Sequence, residues 1–565
     1  MSMDRIYRYL IIISAALLPL HLAAQNLDPT VEVSRAYEGK LVEVHKPSMD
    51  VSVPDTVQQF RLDFDYSVFD NPYKGSYEFN PYMASMRPSS APFDQRTFYL
   101  RAGAGYRLQP VADVIWSPAF KKGFRMDVYA RNRSYIGDYR NISLVPEGQS
   151  HLLGSSGNSW KGRDLRSDVG ASGRYEWQKG TFDFDLSYLG IHAKDTLKKR
   201  SYNSLNASLG VSSKQSRVFV YDVGLDYGFT ADKTLKSVQE HLLSLKADIG
   251  PKFRTSHKIL FDMGLDMALY AGAIDWGTAR MNITPHYVYK KGRWNIDAGV
   301  RLDFLVGADE GGAMRSAGRQ QFVYPDVNVE FNLVKNAMNI YASAKGGTSL
   351  NTYSSIVTRN HFADLSYLRG GVPDSNVERL KAELGLKGRL GTMFSYDLRG
   401  GYAGYANTIF DALTFTEQLQ PLPSVGYATV QKAFVELDWL LITDRIRFDG
   451  IVSLSRYWGF EDASGIFAPS ALTGDAAVEY NIRKRLFFSV DCVYASGRRM
   501  VSLPSGIDQP VFIPAYADLG VSFEMSVSRK LSFWARGGNL LNMTIQRTPL
   551  YAEGGINFTV GICLK

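Results

Sequence analysis

Alternating apolar and polar residues, short turns at regular spacing and an N-terminal export signal predict an all-β membrane protein from this sequence. The expected fold is a transmembrane antiparallel up-and-down β-barrel of about 22 strands. A short extended segment, periplasmic or lumenal, precedes it. The predicted divisions are a signal peptide at residues 1–24, the extended segment at 25–95 and the outer-membrane barrel at 96–565.

The composition favours one large folded unit. Hydrophobic residues make up 45% of the 565 residues and aromatic residues 13%, which gives enough apolar surface to exclude a disordered chain. No linker rich in proline or serine divides the chain after residue 96, so one very large domain is favoured over several small ones. The net charge of +8 is not concentrated in a basic block, and we therefore expect no nucleic-acid partner.

The N-terminus has the organisation of a secretory signal. Arg5 and Arg8 precede a mostly apolar run from Leu10 to Leu22, and small residues follow before Gln25. No cysteine is placed there for lipidation. No later apolar stretch has the roughly 18 residues that a membrane-spanning helix needs. The mature chain is therefore expected to begin near Gln25, outside the inner membrane.

From about residue 96 onward the dominant period is two, which is the period of a β-strand. In residues 294–304 the apolar residues Trp, Ile, Ala, Val, Leu and Phe occupy one face, and Asn, Asp, Gly and Arg occupy the other. Residues 182–188, 394–402 and 519–527 divide in the same way. A soluble β-sandwich would also alternate, so the connections have to distinguish the two folds.

The connections alternate between short and long. Several short ones are basic: Lys121–Gly123, Gln178–Gly180, Lys290–Gly292, Arg389–Gly391, Thr443–Arg445, Arg483–Arg485 and Ser528–Lys530. Longer ones lie between them, such as the predicted loops Gly137–Arg163 and Thr348–Asn376. Short periplasmic turns, longer outer loops and an even strand number are typical of barrels in the outer membrane of Gram-negative cells, with membrane lipid as a partner.

The two cysteines, Cys492 and Cys563, fall on different faces of their predicted strands. Cys492 lies on the apolar face with Phe488, whereas Cys563 lies on the face opposite Ile562. We therefore expect no disulfide between them and no cysteine-rich metal site.

An aspartate recurs on the polar face near the start of several predicted strands. The eight positions are Asp127, Asp183, Asp222, Asp262, Asp297, Asp397, Asp449 and Asp491. If the short turns are periplasmic, these residues form a loose acidic ring low in the lumen. One interpretation is an electrostatic filter or a docking surface for a basic segment. The other is the ordinary solubility of a charged lumen, with basic residues such as Arg301 and Arg399 offsetting the charge.

The C-terminal residues 531–542 and 554–561 resemble the last hairpin of TonB-dependent receptors. That family ends in a strand closing on an Asn-Leu-Leu-Asn-like turn, followed by a glycine-rich final strand. Residues 375–386 and 431–436 show further similarity to it. The resemblance covers roughly residues 96–565 and implies a barrel of about 22 strands that takes up nutrients with energy transmitted by TonB.

The N-terminal part departs from that family. TonB-dependent receptors carry a long plug inside the barrel, whereas only about 70 residues separate Gln25 from Arg96 here, without a plug-like glycine pattern. The chain also ends in Lys565 rather than in an aromatic residue. We therefore expect the family plug to be lacking. One plug-associated feature is expected to survive, because Thr30, Val31, Glu32 and Val33 look like the TonB box that adds a strand to TonB.

Two functions are compatible with these features. The first is solute transport across the outer membrane, carried by the inner-face charges and the two longer loops, with TonB as a partner. The alternative is a plugless structural subunit of an outer-membrane assembly or export complex, with a partner subunit in its lumen. Since a barrel of this size is normally plugged, the extended segment, inward-folded loops or another protein must fill the lumen.

Enzyme chemistry is not expected. The eight histidines are scattered, and no HExxH, nucleophile-elbow or P-loop pattern occurs. The run Asp309–Gly312 lacks the alternating oxygen ligands of a calcium loop. We therefore predict no catalytic residue, no cofactor and no metal site.

Overall fold

The computed structural model describes residues 97–120, 123–195, 199–214, 218–234, 236–253, 256–273, 276–307, 319–334, 337–363, 373–415, 420–461, 463–504 and 507–565. The predicted signal peptide, the extended segment and the TonB-box residues Thr30, Val31, Glu32 and Val33 lie outside them. None of the helices in these ranges is long and apolar enough to span a bilayer.

The strands of these ranges form one sheet. In chain order they are β1 (Phe98–Tyr106), β2 (Val111–Trp116), β3 (Phe124–Glu147), β4 (Ser150–Trp177), β5 (Gly180–Lys194), β6 (Ser201–Ser213), β7 (Phe219–Lys233), β8 (Ser237–Phe253), β9 (His257–Gly272), β10 (Trp276–Lys291), β11 (Trp294–Gly307), β12 (Arg319–Val334), β13 (Met338–Leu350), β14 (Ser375–Leu390), β15 (Phe394–Phe415), β16 (Pro421–Ile442), β17 (Ile446–Glu461), β18 (Leu472–Ile482), β19 (Leu486–Ala495), β20 (Arg498–Arg499), β21 (Val511–Ile513), β22 (Tyr516–Ser526), β23 (Leu531–Gly538), β24 (Tyr551–Glu553) and β25 (Asn557–Leu564). One helix, α1 (Tyr353–Arg359), follows β13.

All of these strands except β20, β21 and β24 form a closed antiparallel barrel of 22 strands. Each pairs with its neighbours in chain order, and β1 closes the wall by pairing with β25, so that Leu100 lies opposite Leu564. The predicted fold class is thereby confirmed. The short turns, the start of β1 and the C-terminus share one end of the barrel, which is the periplasmic end in proteins of this architecture.

The alternation of the sequence explains the two faces of the wall. In β11, Val300 is 49% exposed on the outside, whereas Asp303 is fully buried on the inside and accepts a hydrogen bond from Arg301. The short turns need left-handed backbone, which Gly391 supplies with a φ of 63°. Arg483 and Lys484 adopt φ values of 53° and 57° without glycine. Basic residues therefore lie exposed at this end of the barrel.

The prediction of a loop at Gly137–Arg163 was wrong. This region continues as a hairpin in which Gly137 pairs with Gly162, so that β3 has 24 residues and β4 has 28. Beyond the bilayer no face of a strand meets lipid, and the alternating apolar signal is lost there. The second predicted loop, Thr348–Asn376, starts with paired residues, since Thr348 lies opposite Val377, and then contains α1.

The two cysteines, Cys492 and Cys563, are both free. Cys563 is 1% exposed on the inner side of β25, whereas its neighbour Ile562 is 40% exposed on the outside. Cys492 is partly exposed in β19, six strand positions after Leu486.

Candidate functional site

Residues 351–363, which follow β13, fold into the lumen. Thr352 caps the N-terminus of α1 in a capping box with Ser355, and the helix ends at Asn360. Tyr353, Ile356 and Val357 of the helix are buried. They belong to one apolar cluster with inward-facing residues of five wall strands: Ile191 of β5, Tyr202 of β6, Val238 of β8, Tyr270 of β9 and Val425 of β16. The helix thus lies between wall strands that are far apart around the barrel.

Polar contacts fix α1 to the wall of β8. The carboxylate of Glu240, which is fully buried, accepts hydrogen bonds from the backbone N–H groups of Tyr353 at 2.7 Å and Ser354 at 3.0 Å. A carboxylate that accepts backbone N–H groups at the start of a helix satisfies donors that the helix itself leaves unpaired. The position of α1 is therefore specified by direct hydrogen bonds as well as by apolar packing.

A buried guanidinium holds the segment that follows α1. Arg200 lies between β5 and β6 and bonds Asp232 Oδ2 at 3.0 Å. It also donates to the carbonyl oxygens of His361 and Ala363, both at 2.7 Å. The same Asp232 oxygen accepts the hydroxyl of Tyr353 at 2.7 Å. Burial, together with the Asp232 charge, raises the pKa of Tyr353, so this phenol remains a neutral donor.

The tall β3–β4 hairpin forms a second layer, which covers the outer mouth of the barrel. The outer part of this hairpin pairs with β24, where Tyr551 lies opposite Asn141, and with β21, where Val511 lies opposite His151. The hairpin and four outer connections share one apolar cluster, which contains Ile142, Leu153, Leu413, Phe467, Met500, Ile507, Val511, Ile513 and Ala552. Gln546 donates to the carbonyl of Leu153 at 2.7 Å. The hairpin is therefore anchored over the mouth and does not project freely.

Aromatic side chains join the two layers. Phe362, just after α1, stacks on Tyr551 with ring centroids 4.0 Å apart. Tyr139 of β3 stacks on Trp160 of β4 at 4.6 Å and meets the edge of Phe362. His361 Nδ1 lies 2.7 Å from Asp164 Oδ2 on β4. We call α1, residues 360–363, the outer β3–β4 hairpin and the connections packed on them the outer cover. All of its contacts are noncovalent.

The lower lumen carries the predicted aspartates. All eight lie near the short-turn end, on the inward-facing sides of their strands. Most have a partner on the wall: Asp127 with Ser117, Asp183 with Arg174, Asp262 with Asn282, Asp297 with His286, Asp397 with Tyr341, Asp449 with Arg447 and Asp491 with Arg536. Only four of the eight, Asp183, Asp397, Asp449 and Asp491, lie against an arginine, so about half of the negative charge is paired directly with a cation.

One stretch of the ring is denser in negative charge. Asp222 lies opposite Asp248, and Asp248 lies opposite Asp262, on three neighbouring strands. His286 is placed between Asp248, at 3.8 Å, and Asp297, at 2.8 Å. In the part of the chain that the structure describes, no three His, Cys, Asp or Glu side chains come together to hold a metal ion.

The neighbouring part of the wall, on β12 and β14–β16, contains a charge network that sequence reasoning missed. Arg399 bonds Glu436 at 2.8 Å and Asp438 at 2.9 Å, and it lies 3.5 Å from Asp397. Lys387 of β14 pairs with Glu330 of β12 at 3.0 Å, across the intervening strand β13. The polar face of each strand showed these residues, but only the register shows which of them are adjacent. The lumen wall is therefore lined with fixed charges of both signs beneath the outer cover.

Comparisons with known proteins identify the fold. No protein-family model matches this chain, and no curated protein has a matching sequence. Among solved structures, the barrel is similar to the siderophore receptor PiuA from Acinetobacter baumannii, with 9% identity and a TM-score of 0.57 over 83% of this chain and 81% of that one. The copper transporter OprC gives 10% identity and a TM-score of 0.60 over 83% and 82%. The FrpB iron transporter from Neisseria meningitidis gives 10% and 0.59 over 83% and 81%.

These similarities define the class of protein. The chain is an outer-membrane-type β-barrel with the fold of the TonB-dependent receptors. The C-terminal hairpin had indicated that fold from sequence. The similar structures are receptors and transporters rather than enzymes. At 9–10% identity the likeness concerns the fold, and the solutes of those proteins are not carried over to this chain.

Proposed function

We propose that this protein resides in the outer membrane and moves a solute through the lumen of its barrel, with the outer cover as the gate. The observation that carries the proposal is the anchoring of α1. The helix lies inside the lumen, where apolar packing and polar contacts through Glu240, Arg200 and Asp232 hold it, and all of these contacts can break and re-form. Below it the lumen wall is polar and charged, as a route for a hydrophilic solute requires.

TonB coupling is a further part of the proposal. Thr30, Val31, Glu32 and Val33 would add a strand to TonB in the periplasm, and residues 25–95 would not form a family-type plug. Deletion of residues 30–33 should abolish solute accumulation while leaving the amount of folded barrel unchanged. If uptake is unaffected by the deletion, passage through the barrel does not depend on this segment.

The gate is tested by releasing α1. We expect the E240Q/D232N variant to weaken both anchors and to raise ion conductance in planar bilayers, together with entry of large antibiotics into cells. The matched control is D449N, which makes the same type of charge change low in the lumen, far from α1. A conductance equal to that of the parent protein in E240Q/D232N would remove the basis for a gate at this position.

The extent of the outer cover favours a second function. The cover has apolar clusters of its own, and a subunit that only seals the membrane within an assembly or export complex would need such a permanent closure. Its partner would be another outer-membrane protein. Mild crosslinking before detergent extraction distinguishes the two functions. Recovery of the monomer alone would exclude the subunit, and a defined complex would support it.

A further inference from the structure

Six exposed cations lie at the outer rim of the barrel. They are Lys161, Arg163, Lys194, Lys199, Lys233 and Lys236. We call them the rim cations. They belong to β4, β5, β7 and the adjoining outer connections. Among the residues that the structure describes, none of the six has an ion pair with a carboxylate. This part of the rim therefore carries positive charge that no carboxylate of the described residues pairs with.

The register of the strands brings like charges together. Arg163 lies directly opposite Lys194, and Lys194 lies opposite Lys199 in an isolated bridge. Lys233 lies opposite Ser201, two residues beyond Lys199. Directly opposite residues have Cβ atoms about 5 Å apart, and like charges in such pairs are destabilising. An anion bound between these side chains would remove the repulsion.

Neighbouring residues give the direction of the Lys194, Lys199 and Lys233 side chains. Arg200, next to Lys199, and Asp232, next to Lys233, are both buried on the inner side of the wall. Since alternate residues of a strand point to opposite faces, Lys199 and Lys233 point outward. In β5 the residues on the same face as Lys194 include Leu186 and Tyr188, which are 50% and 38% exposed. These three rim cations thus continue the lipid-facing side of the wall.

Aromatic residues fix the level of the cations relative to the bilayer. Tyr188 and Tyr227 lie below them on the same face, and their hydroxyls bond Asn203 and His241. Tyrosines of this kind mark the interface between hydrocarbon and headgroups. β5 runs from Gly180 to Lys194, and a tilted strand needs roughly 9 to 11 residues to cross the hydrocarbon, so Lys194 lies at the height of the headgroups.

We propose that the rim cations bind the phosphate groups of an anionic glycolipid in the outer leaflet of the membrane. Phosphate oxygens supply the charge that is missing between Arg163, Lys194 and Lys199, and arginine suits bidentate contact with phosphate. The acyl chains of the same lipid lie against the apolar side chains below, such as Leu186 and Leu205. A free phosphate ion would match the charge but would leave this apolar surface unused.

Native mass spectrometry of the full-length protein in detergent tests the proposal. The probes are diphosphorylated lipid A and the same lipid without its phosphates. We expect the unmodified protein to prefer the phosphorylated lipid by on the order of tenfold or more, since each cation near a membrane surface contributes to the binding of anionic lipid. The R163Q/K194Q/K199Q variant should lose this preference, whereas the single variant R163K should retain it.

The matched control removes three exposed cations at the other end of the barrel. The R485Q/R529Q/K530Q variant changes turn residues on the periplasmic side and should keep the preference. Heat-modifiable migration on gels verifies that each variant is folded, and K199Q alone serves as the test if the triple variant does not fold. Equal binding of the two lipids by the unmodified protein, or an unchanged preference in R163Q/K194Q/K199Q, would overturn the proposal. Displacement of the lipid by equimolar inorganic phosphate would overturn it as well, because it would identify a site for a free anion.

Discussion

Replacement of Arg200 by methionine should release α1 from the wall. The guanidinium makes one contact with a carboxylate and two with carbonyl oxygens, all within a buried site. Methionine fills a similar volume without a donor and leaves Asp232 buried with fewer partners. Removal of one member of a buried ion pair typically costs about 3–5 kcal/mol. A penalty of that size shifts a closed-to-open equilibrium by roughly 100-fold or more, so we expect a large increase in the open state.

The double variant R200M/D232N sets the scale of the effect. It removes the unpaired charge together with the cation, so that mainly the two carbonyl contacts of His361 and Ala363 are lost. Such contacts contribute about 1–2 kcal/mol together. We therefore expect a smaller open fraction in the double variant than in R200M alone, so the effects of the two substitutions are not additive.

Two measurements follow the opening. Single-channel conductance reports the open fraction, and a bulky maleimide applied to a V357C variant reports whether α1 has left its buried site, because Val357 is fully buried when docked. The protein without V357C provides the background from Cys492 and Cys563. If R200M changes neither conductance nor labelling, or if the double variant opens more than R200M, the anchor does not act as the structure indicates.

Three further predictions concern other parts of the barrel. F362A removes the ring that stacks on Tyr551 and should lower the stability of the outer cover by about 3 kcal/mol or more. The expected readout is faster proteolysis of the β3–β4 hairpin. Faster proteolysis at the periplasmic turns alone would contradict this reasoning. R399Q leaves Glu436, Asp438 and Asp397 without their shared cation. Reversal potentials in a salt gradient should therefore shift toward cation selectivity. A shift toward anion selectivity would be inconsistent with the network. L384R places a charge on a side chain that is 62% exposed to lipid and should lower the free energy of unfolding in urea by about 2–4 kcal/mol, with K381R on the inner face as a control.

The strands of the barrel wall could be predicted from the sequence, because contact with lipid on one face requires apolar residues at every second position. β11 begins at Trp294, where alternation of apolar and polar residues begins, and the eight aspartates lie near the short turns. The pattern ends where the lipid ends. β4 starts at Ser150, far above the bilayer, and residues 154–159 are all glycine, serine or asparagine, so a loop was predicted instead.

The outer cover was not predictable for a different reason. α1 has seven residues, too few for a helical period to stand out, and its buried side chains are matched by residues of distant strands such as Ile191 and Val425. The same holds for the charge network of the wall. Arg399 and Asp438 are visible as polar-face residues in the sequence, but their contact depends on the register between β15 and β16.

The seam between β1 and β25 has a consequence for how the barrel is made. Leu100 meets Leu564, so the contact that closes the sheet joins the two ends of the folded unit and has the greatest sequence separation of any pair in the wall. Contacts of this kind form slowly, because nearly the whole chain must be ordered first. Until then both edge strands present unpaired backbone groups that readily add foreign strands. We therefore expect the β1–β25 pairing to be the last contact of the wall to form.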